Sequence, residues 1–289
     1  MNRLIRPLVR LAAFVLGSVA SLAAWAQAQA PAPPPVPTDV LRVCADPNNL
    51  PQSNERGEGF ENKVAEAMAR DMGRKLEYTW FPQRMGFVRM TLRGRNDNGQ
   101  FKCDLIIGVP KGYELTATTV PWMRSTYAMV FRADGPLAGV QKPDDVLKLP
   151  PEALAKLRFG IFGRSPAADW LLRNQLIDQA VSFQPQSGDP NETPMTLLER
   201  ELRGGKVDVG MVWGPVAAAL AAKLGNGRMV TFTSEADIQF DFEISMGVRF
   251  GEKPWKDQVD AWIKSHGTDV QAILASYKVP SLELKKEGP

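Results

Sequence analysis

Residues 46–61 bring together side chains that could bind a small polar ligand. Asp46, Asn48, Asn49 and Glu61 offer carboxylate and amide groups, and the segment follows a short apolar strand and leads into an amphipathic helix. This order places the loop at the carboxyl edge of a sheet, where open α/β proteins bind their ligands. The alternative is that Asp, Pro and Asn only form the turn. Taken alone, the sequence leaves both interpretations open.

Three further loops also follow predicted strands and are expected at the same edge of a sheet. One of them precedes a helix amino terminus, where free backbone amides favour an anion. Each loop could equally be turn chemistry, and its position after a strand is the reason for selecting it. The residues selected are Val109, Lys111, Tyr113, Gly163, Arg164, Ser165 and Trp213.

The sequence offers no arrangement typical of catalysis. It has one histidine, His266, at the end of a helix, so a Ser-His-Asp or Cys-His arrangement is hard to build. It contains no phosphate-binding glycine motif and no paired-histidine metalloprotease motif. A pair of carboxylates stays possible, but nothing singles one out. We therefore predict no catalytic residue, no metal site and no cofactor.

The first residues have the features of a secretory signal peptide. Arg3, Arg6 and Arg10 precede an apolar run that ends in Ala-x-Ala sites. We assign residues 1–30 to this leader and residues 31–37, PAPPPVP, to a proline-rich spacer. The sequence thus predicts an exported protein, and no other segment is long and apolar enough to span a membrane.

Charge and cysteine content restrict the function further. The leader holds three of the 35 basic residues and none of the 32 acidic residues, so the mature chain is formally neutral. A neutral chain gives no indication of nucleic-acid or membrane binding. Cys44 and Cys103 are an even number of cysteines in an exported chain, which favours a disulfide over free thiols.

Alternating strand and helix patterns predict an α/β protein with mainly parallel sheets and two lobes. The segments Lys-Cys-Asp-Leu-Ile-Ile-Gly-Val-Pro (102–110) and Lys-Val-Asp-Val-Gly-Met-Val-Trp-Gly-Pro (206–215) resemble each other. Arg42 and Arg158 also occupy similar places at the start of each half. The predicted helices cover residues 61–72, 86–93 and 194–202, together with two at the carboxyl end, and the predicted strands cover residues 75–81, 103–109, 127–132, 158–162, 180–184 and 243–250.

Three segments resemble one known family. They are residues 41–54, with Cys-Ala-Asp-Pro-x-Asn-Leu-Pro-x-Ser-Asn; residues 57–89; and residues 102–132, with Gly-Val-Pro-x-Gly-Tyr. The resemblance is to the type 2 periplasmic solute-binding fold, in the branch associated with quinoprotein (PQQ-dependent) methanol dehydrogenase. It covers roughly residues 40–270.

The resemblance implies a two-lobed fold with a central cleft. Lobe 1 would comprise residues 38–132 and 245–289, and lobe 2 residues 137–237, with crossover segments at 132–136 and 238–244. The family fold would also make the strands that carry the two cysteines neighbours. It implies a periplasmic protein whose partner is the catalytic subunit of the methanol dehydrogenase, with the cytochrome c of that enzyme as a further candidate.

The sequence departs from the amino-acid binders of the wider fold class. Those proteins carry a Thr-x-x-Arg motif whose arginine binds the ligand carboxylate. The corresponding region here reads Lys-Gly-Tyr-Glu-Leu-Thr, and Lys111 and Arg124 lie nearby but outside such a motif.

Three functions therefore compete. The first is an accessory protein for the dehydrogenase, with Tyr113 or Trp122 as an aromatic contact. The second is a solute receptor for an ABC importer, and the third is a periplasmic lyase on the same fold.

Overall fold

The computed structural model of the protein describes residues 35–184, 189 and 192–285. The predicted signal peptide, the start of the spacer, two short stretches near residue 189 and the last four residues lie outside this part. The strands are β1 (Val40–Ala45), β2 (Asn48–Asn49), β3 (Ser53–Asn54), β4 (Lys75–Trp80), β5 (Leu105–Pro110), β6 (Ala117–Arg132), β7 (Phe159–Phe162), β8 (Ala180–Phe183), β9 (Val209–Trp213), β10 (Gly227–Thr231) and β11 (Asp241–Val248).

The α-helices alternate with these strands in the chain order. They are α1 (Phe60–Asp71), α2 (Phe87–Met90), α3 (Pro151–Leu154), α4 (Pro166–Arg173), α5 (Pro194–Arg203), α6 (Gly214–Lys223), α7 (Lys253–Ser265) and α8 (Gly267–Ser276). Short 3₁₀ helices cover Gly135–Leu137, Pro143–Lys148 and Ile177–Gln179.

The main sheet has the strand order β4-β1-β5-β11-β6-β9-β7-β8, with β10 also paired to β6. Strands β4, β1 and β5 run parallel to one another, as do β8, β7 and β9. Strands β6 and β11 run antiparallel to their neighbours in the middle of the sheet. The predicted α/β architecture is confirmed, with a mixed sheet in which two antiparallel strands join two parallel groups.

Strand β6 connects the two halves of the molecule because its first part and its second part pair with different strands. Its residues up to Thr126 pair with β11, and its residues from Tyr127 onward pair with β9 and β10. This change of partner lies before the predicted crossover at 132–136. The lobe bounds given above stay a prediction.

The first half has its core between the β4-β1-β5 group and the helices α1, α7 and α8. The two helices predicted at the carboxyl end pack into it, as Trp255 and Val259 from α7 and Leu274 from α8 are buried. Helix α1 contributes Val64 and Met68, both fully buried. Both side chains therefore belong to the core.

The second half has two apolar clusters, one on each face of its strands. Trp170 of α4 and Phe159 of β7 lie in one cluster, and Leu198 of α5 and Leu220 of α6 lie in the other. Helix α5 begins as predicted, because the Thr193 hydroxyl accepts a hydrogen bond from the Thr196 backbone amide at 3.2 Å.

The weak internal repeat corresponds to the same contact in both halves. In the first half, Arg42 forms a two-pronged ion pair with Asp104, with Nε–Oδ2 at 2.6 Å and Nη2–Oδ1 at 2.9 Å. In the second half, Arg158 pairs with Asp208 in the same way, with 3.2 Å and 3.3 Å between the matching atoms. Each pair ties the strand that opens its half to the chain just before the neighbouring strand.

The predicted disulfide between Cys44 and Cys103 is present, with Cα atoms 5.5 Å apart. It joins Cys44 of β1 to Cys103, which lies two residues before β5 begins, and both cysteines are buried. A crosslink of this kind typically contributes about 2–4 kcal/mol to the free energy of unfolding, mainly by restricting the unfolded chain.

Two elements differ from the sequence prediction. Strand β6 begins at Ala117, ten residues before the predicted 127–132. The added part contains Pro121, which lacks an amide hydrogen and therefore weakens the strand signal in the sequence. Trp213-Gly214-Pro215 was expected to be a loop, yet α6 begins directly at Gly214, with Pro215 in the first turn where its missing amide hydrogen is tolerated.

Candidate functional site

Two adjoining cavities lie where the two groups of strands meet. The larger has a volume of about 360 Å³ and the smaller about 120 Å³. Gln52, Gln83 and Trp213 border both. The larger cavity takes residues from the loop after β1 and from the elements around β9 and α5, so both halves contribute to its wall.

The loop after β1 borders the larger cavity through Asp46, Asn48 and Asn49. Its shape depends on Asp46, whose Oδ1 accepts a hydrogen bond from the Asn48 amide at 2.8 Å and whose Oδ2 accepts one from the Gln83 amide at 2.5 Å. The Asn49 side-chain amide donates to Gln83 Oε1 at 3.1 Å. Asp46 therefore connects two loops at the edge of the cavity. It shapes the turn and also borders the cleft.

Aromatic rings form one wall of the cavity. Trp213 lies at the end of β9, with its ring centre 5.7 Å from that of Tyr127 and 6.1 Å from that of Phe242. Tyr127 and Phe162 also border the larger cavity. Burial raises the pKa of the Tyr127 hydroxyl, which therefore stays neutral and able to donate at ordinary pH.

Glu61 borders the smaller cavity from the first turn of α1. Its side chain is partly exposed, but its carboxylate lies against Gly108, where an added Cβ atom would be 2.2 Å from Glu61 Oε1. Desolvation, and secondarily the negative charge of Asp46, raise the pKa of Glu61 to about 7. Glycine at position 108 thus allows a carboxylate to sit beside the strand at the base of the cleft.

The basic residues near the predicted ligand position are paired elsewhere. Lys111 contacts Glu243, with Nζ–Oε2 at 3.1 Å, and Arg124 contacts Asp241, with Nε–Oδ2 at 2.7 Å. Neither borders the two cavities described above. A ligand carboxylate in the cleft would not meet either cation in this arrangement.

The described lining of the larger cavity has more acidic than basic residues. Its described lining includes the acidic residues Asp46, Asp189 and Glu192 and one basic residue, Arg84. The buried Oε1 atom of Gln52 has no hydrogen-bond partner among the described residues. Such a lining favours a ligand that donates hydrogen bonds or carries positive charge over one with a free carboxylate.

Of the remaining predicted residues, only Val109 borders one of these two cavities. Val109 borders the smaller cavity and, with Tyr113, an outer groove on the first half. Gly163, Arg164 and Ser165 precede α4 and border none of the cavities described here. Their assignment to a ligand or partner site stays a prediction.

Several cavity residues were not identified from the sequence. Tyr127 lies in the middle of a strand, and Phe162 ends another, so both have the pattern of ordinary core residues. Gln83 and Arg84 lie in the loop after β4. That loop follows a predicted strand, which is the signal that selected the other loops.

The described residues contain no group of three or more Asp, Glu, His or Cys side chains placed to hold a metal ion. Among their helices, none has the length and apolar character that crossing a membrane requires.

The two halves, the antiparallel strands that join them and the cavity between them define the class of protein. It is the two-lobed α/β fold of type 2 periplasmic binding proteins. No protein-family model matches the chain. Protein MoxJ of Methylorubrum extorquens is 27% identical over 258 residues, which cover 84% of this chain and 81% of that protein.

Two solved structures are similar over their entire length. The periplasmic binding protein XoxJ from Methylobacterium extorquens AM1 is 33% identical with a TM-score of 0.66, and the match covers 85% of this chain and 100% of that one. MxaJ from Methlophaga aminisulfidivorans is 25% identical with a TM-score of 0.66, covering 84% and 100%. The chain belongs to the family of periplasmic binding proteins that includes XoxJ and MoxJ.

Proposed function

We propose that the protein is a periplasmic accessory protein that binds a PQQ-dependent methanol dehydrogenase and assists its activation, maturation or assembly with its electron acceptor. Membership in the family of XoxJ and MoxJ supports this proposal. The motifs at residues 44–54 and 108–113 support it further, because they resemble the branch associated with that enzyme. In this role the protein acts by contact, with no reaction of its own.

The observation that carries the proposal is the placement of those motifs and of the nearby cations. Residues 44–54 and 108–113 lie at strand ends on the cleft side, where a rigid scaffold displays functional loops. Lys111 and Arg124, which could have bound a ligand carboxylate, pair with Glu243 and Asp241 instead. The chain thus has the loops of this branch, but Lys111 and Arg124 are not placed to bind the carboxylate of an amino acid.

Of the two aromatic residues proposed from sequence to contact the dehydrogenase, Tyr113 and Trp122, only one is accessible. Trp122 is 3% exposed and donates a hydrogen bond from Nε1 to the Ile107 carbonyl at 2.8 Å, so it cannot reach a partner. Tyr113 is half-buried at the border of the outer groove and stays available.

The test is surface binding between the purified mature protein and the catalytic subunit of the dehydrogenase from the same source. We expect saturable association in the micromolar range, since the neutral chain gives no long-range attraction. Tyr113→Ala should weaken it several-fold. Leu172→Ala, which removes an exposed side chain on α4, is the matched control and should leave it unchanged.

Thermal unfolding of both variants is recorded in parallel, because the Tyr113 ring packs partly on a buried cluster. Absence of association up to high micromolar concentration, with both proteins folded, would disprove the proposal.

The second candidate function is a receptor for a small solute of an ABC importer. It is favoured by the cavity of about 360 Å³ with aromatic rings in its wall, a size and composition that small-molecule sites commonly have. The lyase alternative has no constellation of residues in its support.

A further inference from the structure

An outer groove of about 720 Å³ lies on the first half, beside the cleft. It is formed by the segment that surrounds α2 and by the turn between β5 and β6. Its lining includes Arg84, Met85, Arg89, Arg93, Tyr113 and Leu115.

The groove carries concentrated positive charge. Arg84, Arg89 and Arg93 border it, and all three are exposed. None of them forms an ion pair in the part of the chain that the structure describes, whereas many other exposed cations pair with a carboxylate. Of the described residues that line the groove, none is acidic. The groove is therefore a local patch of three cations without an ion pair among the described residues.

Two of the arginines are held in place without being neutralised. Arg93 donates from Nη2 to the Leu115 carbonyl at 2.6 Å, and its guanidinium lies 5.9 Å from the Phe250 ring centre. The Arg84 guanidinium lies 5.9 Å from the Phe81 ring centre. Contacts with rings and a carbonyl restrict each side chain, and they leave its charge available to a carboxylate.

Exposed apolar side chains accompany the charge. Met85 is 93% exposed and Leu115 is 44% exposed within the groove, and Phe250 beside Arg93 is 56% exposed. Apolar contact area next to arginine is the composition typical of protein interfaces, where Met, aromatic residues and Arg are enriched. A site for a small anion would instead concentrate its donors in an enclosed pocket.

We infer that this groove binds an acidic segment of a partner protein that also carries an apolar side chain. The inference rests on the proposed function, and it names the surface and the chemistry of the contact: the segment belongs to the dehydrogenase. Its carboxylates pair with the three arginines, and its apolar side chain covers Met85 and Leu115. Charge complementarity of this kind mainly increases the association rate and fixes the orientation of the partners.

The test compares the mature chain with a triple variant, Arg84→Gln, Arg89→Gln and Arg93→Gln, in surface binding to the dehydrogenase. The matched control is Lys156→Gln, Lys264→Gln and Lys278→Gln, which removes three exposed charges that form no ion pair among the described residues. We expect the arginine variant to bind about tenfold more weakly at low salt and with a smaller salt dependence. The lysine variant should stay within about threefold of the parent under the same conditions.

A second variant tests the apolar half of the contact. Met85→Ser should weaken binding by a factor that does not change with salt, and it should leave thermal unfolding unchanged because the side chain is exposed. Poly-glutamate should displace the dehydrogenase. If a DNA oligonucleotide displaces the dehydrogenase and poly-glutamate does not, the groove does not bind an acidic protein segment and the inference is wrong.

The two hypotheses fail in different ways. If the parent chain does not bind the dehydrogenase, both the proposed function and this occupant of the groove are wrong. If the parent chain binds and the arginine variant binds equally well, the groove is not the contact surface and the proposed function stands.

Discussion

At the scale of single residues, Glu61 has the most unusual environment in the cleft. Its carboxylate lies against Gly108, and its pKa is raised to about 7 by desolvation and by Asp46. Near neutral pH this group therefore changes charge at the base of a cavity that also contains Trp213. Its protonation state is expected to affect both stability and the polarity of the cleft.

We predict that Glu61→Gln makes stability less dependent on pH. The folded protein holds a proton on Glu61 between about pH 4.5 and 7 that the unfolded chain has released, so the free energy of unfolding falls as pH rises through this window. The parent should lose on the order of 1–3 kcal/mol more than the variant between about pH 5 and 8.

The measurement is urea unfolding at several pH values. Glu66→Gln, on the exposed side of the same helix, is the control and should follow the parent. If the curves of Glu61→Gln and of the parent run parallel, the raised pKa is incorrect.

At the scale of secondary-structure elements, an ion pair joins the two long strands that connect the halves. Arg124 of β6 donates to Asp241 of β11, and Ser234 also hydrogen-bonds the same carboxylate. The hydrogen bond from Arg124 is the main cause that lowers the pKa of Asp241 to about 2. Because β11 pairs with the first group of strands through β5 and β6 pairs with the second group through β9, this contact stabilises the connection on which the cleft depends.

We predict that Asp241→Asn destabilises the protein by about 2–3 kcal/mol at pH 7, because it leaves the partly buried Arg124 without a carboxylate. The lowered pKa means that the stabilisation is present above about pH 4 and is lost as pH falls toward 2. The variant should therefore show a flatter acid limb in chemical unfolding.

Asp257→Asn is the control, since it breaks an exposed ion pair with Lys253 on α7 and should change stability by less than about 1 kcal/mol. Equal losses for the two variants would contradict a special role for Asp241.

Local patterns predicted some elements well and left others out. Helix α1 was expected at 61–72 and spans Phe60–Asp71, because its apolar residues recur every three to four positions. The first part of β6 and all of β10 were missed. Their strand pairing depends on partners far along the chain, and a window of ten residues carries no information about those partners.

The same limit applies to the candidate site. Asp46, Asn48 and Asn49 were expected at the cleft because a loop after a strand is a local signal, and the structure places them along the larger cavity. Tyr127 of β6 and Phe162 of β7 are far apart in the chain, and they come to the same cavity only because both strands pair with β9. The aromatic wall of the cavity therefore could not be predicted from sequence.

At the scale of the whole molecule, the distribution of charge separates two faces of the first half. The described lining of the larger cavity has three acidic residues and one basic residue, Arg84, whereas the described lining of the outer groove has three arginines, Arg84 among them, and no acidic residue. Tyr113 and Val109 lie at the groove, and Asp46 and Asn49 lie at the cleft. One set of strand-end loops thus supplies two surfaces of different chemistry.

This distribution leads to a prediction about the cleft as a whole: it does not bind free amino acids tightly. An α-carboxylate in the cavity would face Asp46 and Glu192, while Lys111 and Arg124 remain paired with Glu243 and Asp241. Arg84 is the one basic residue in the described lining, and it is exposed, so a carboxylate there would otherwise depend on backbone amides, which compensate its desolvation incompletely. Isothermal titration calorimetry of the mature protein against the common amino acids should therefore detect no sub-micromolar affinity. Trp213→Ala, which removes an aromatic ring from both cavities, is the companion variant. Sub-micromolar binding of any amino acid that this variant abolishes would favour the importer receptor over the accessory protein.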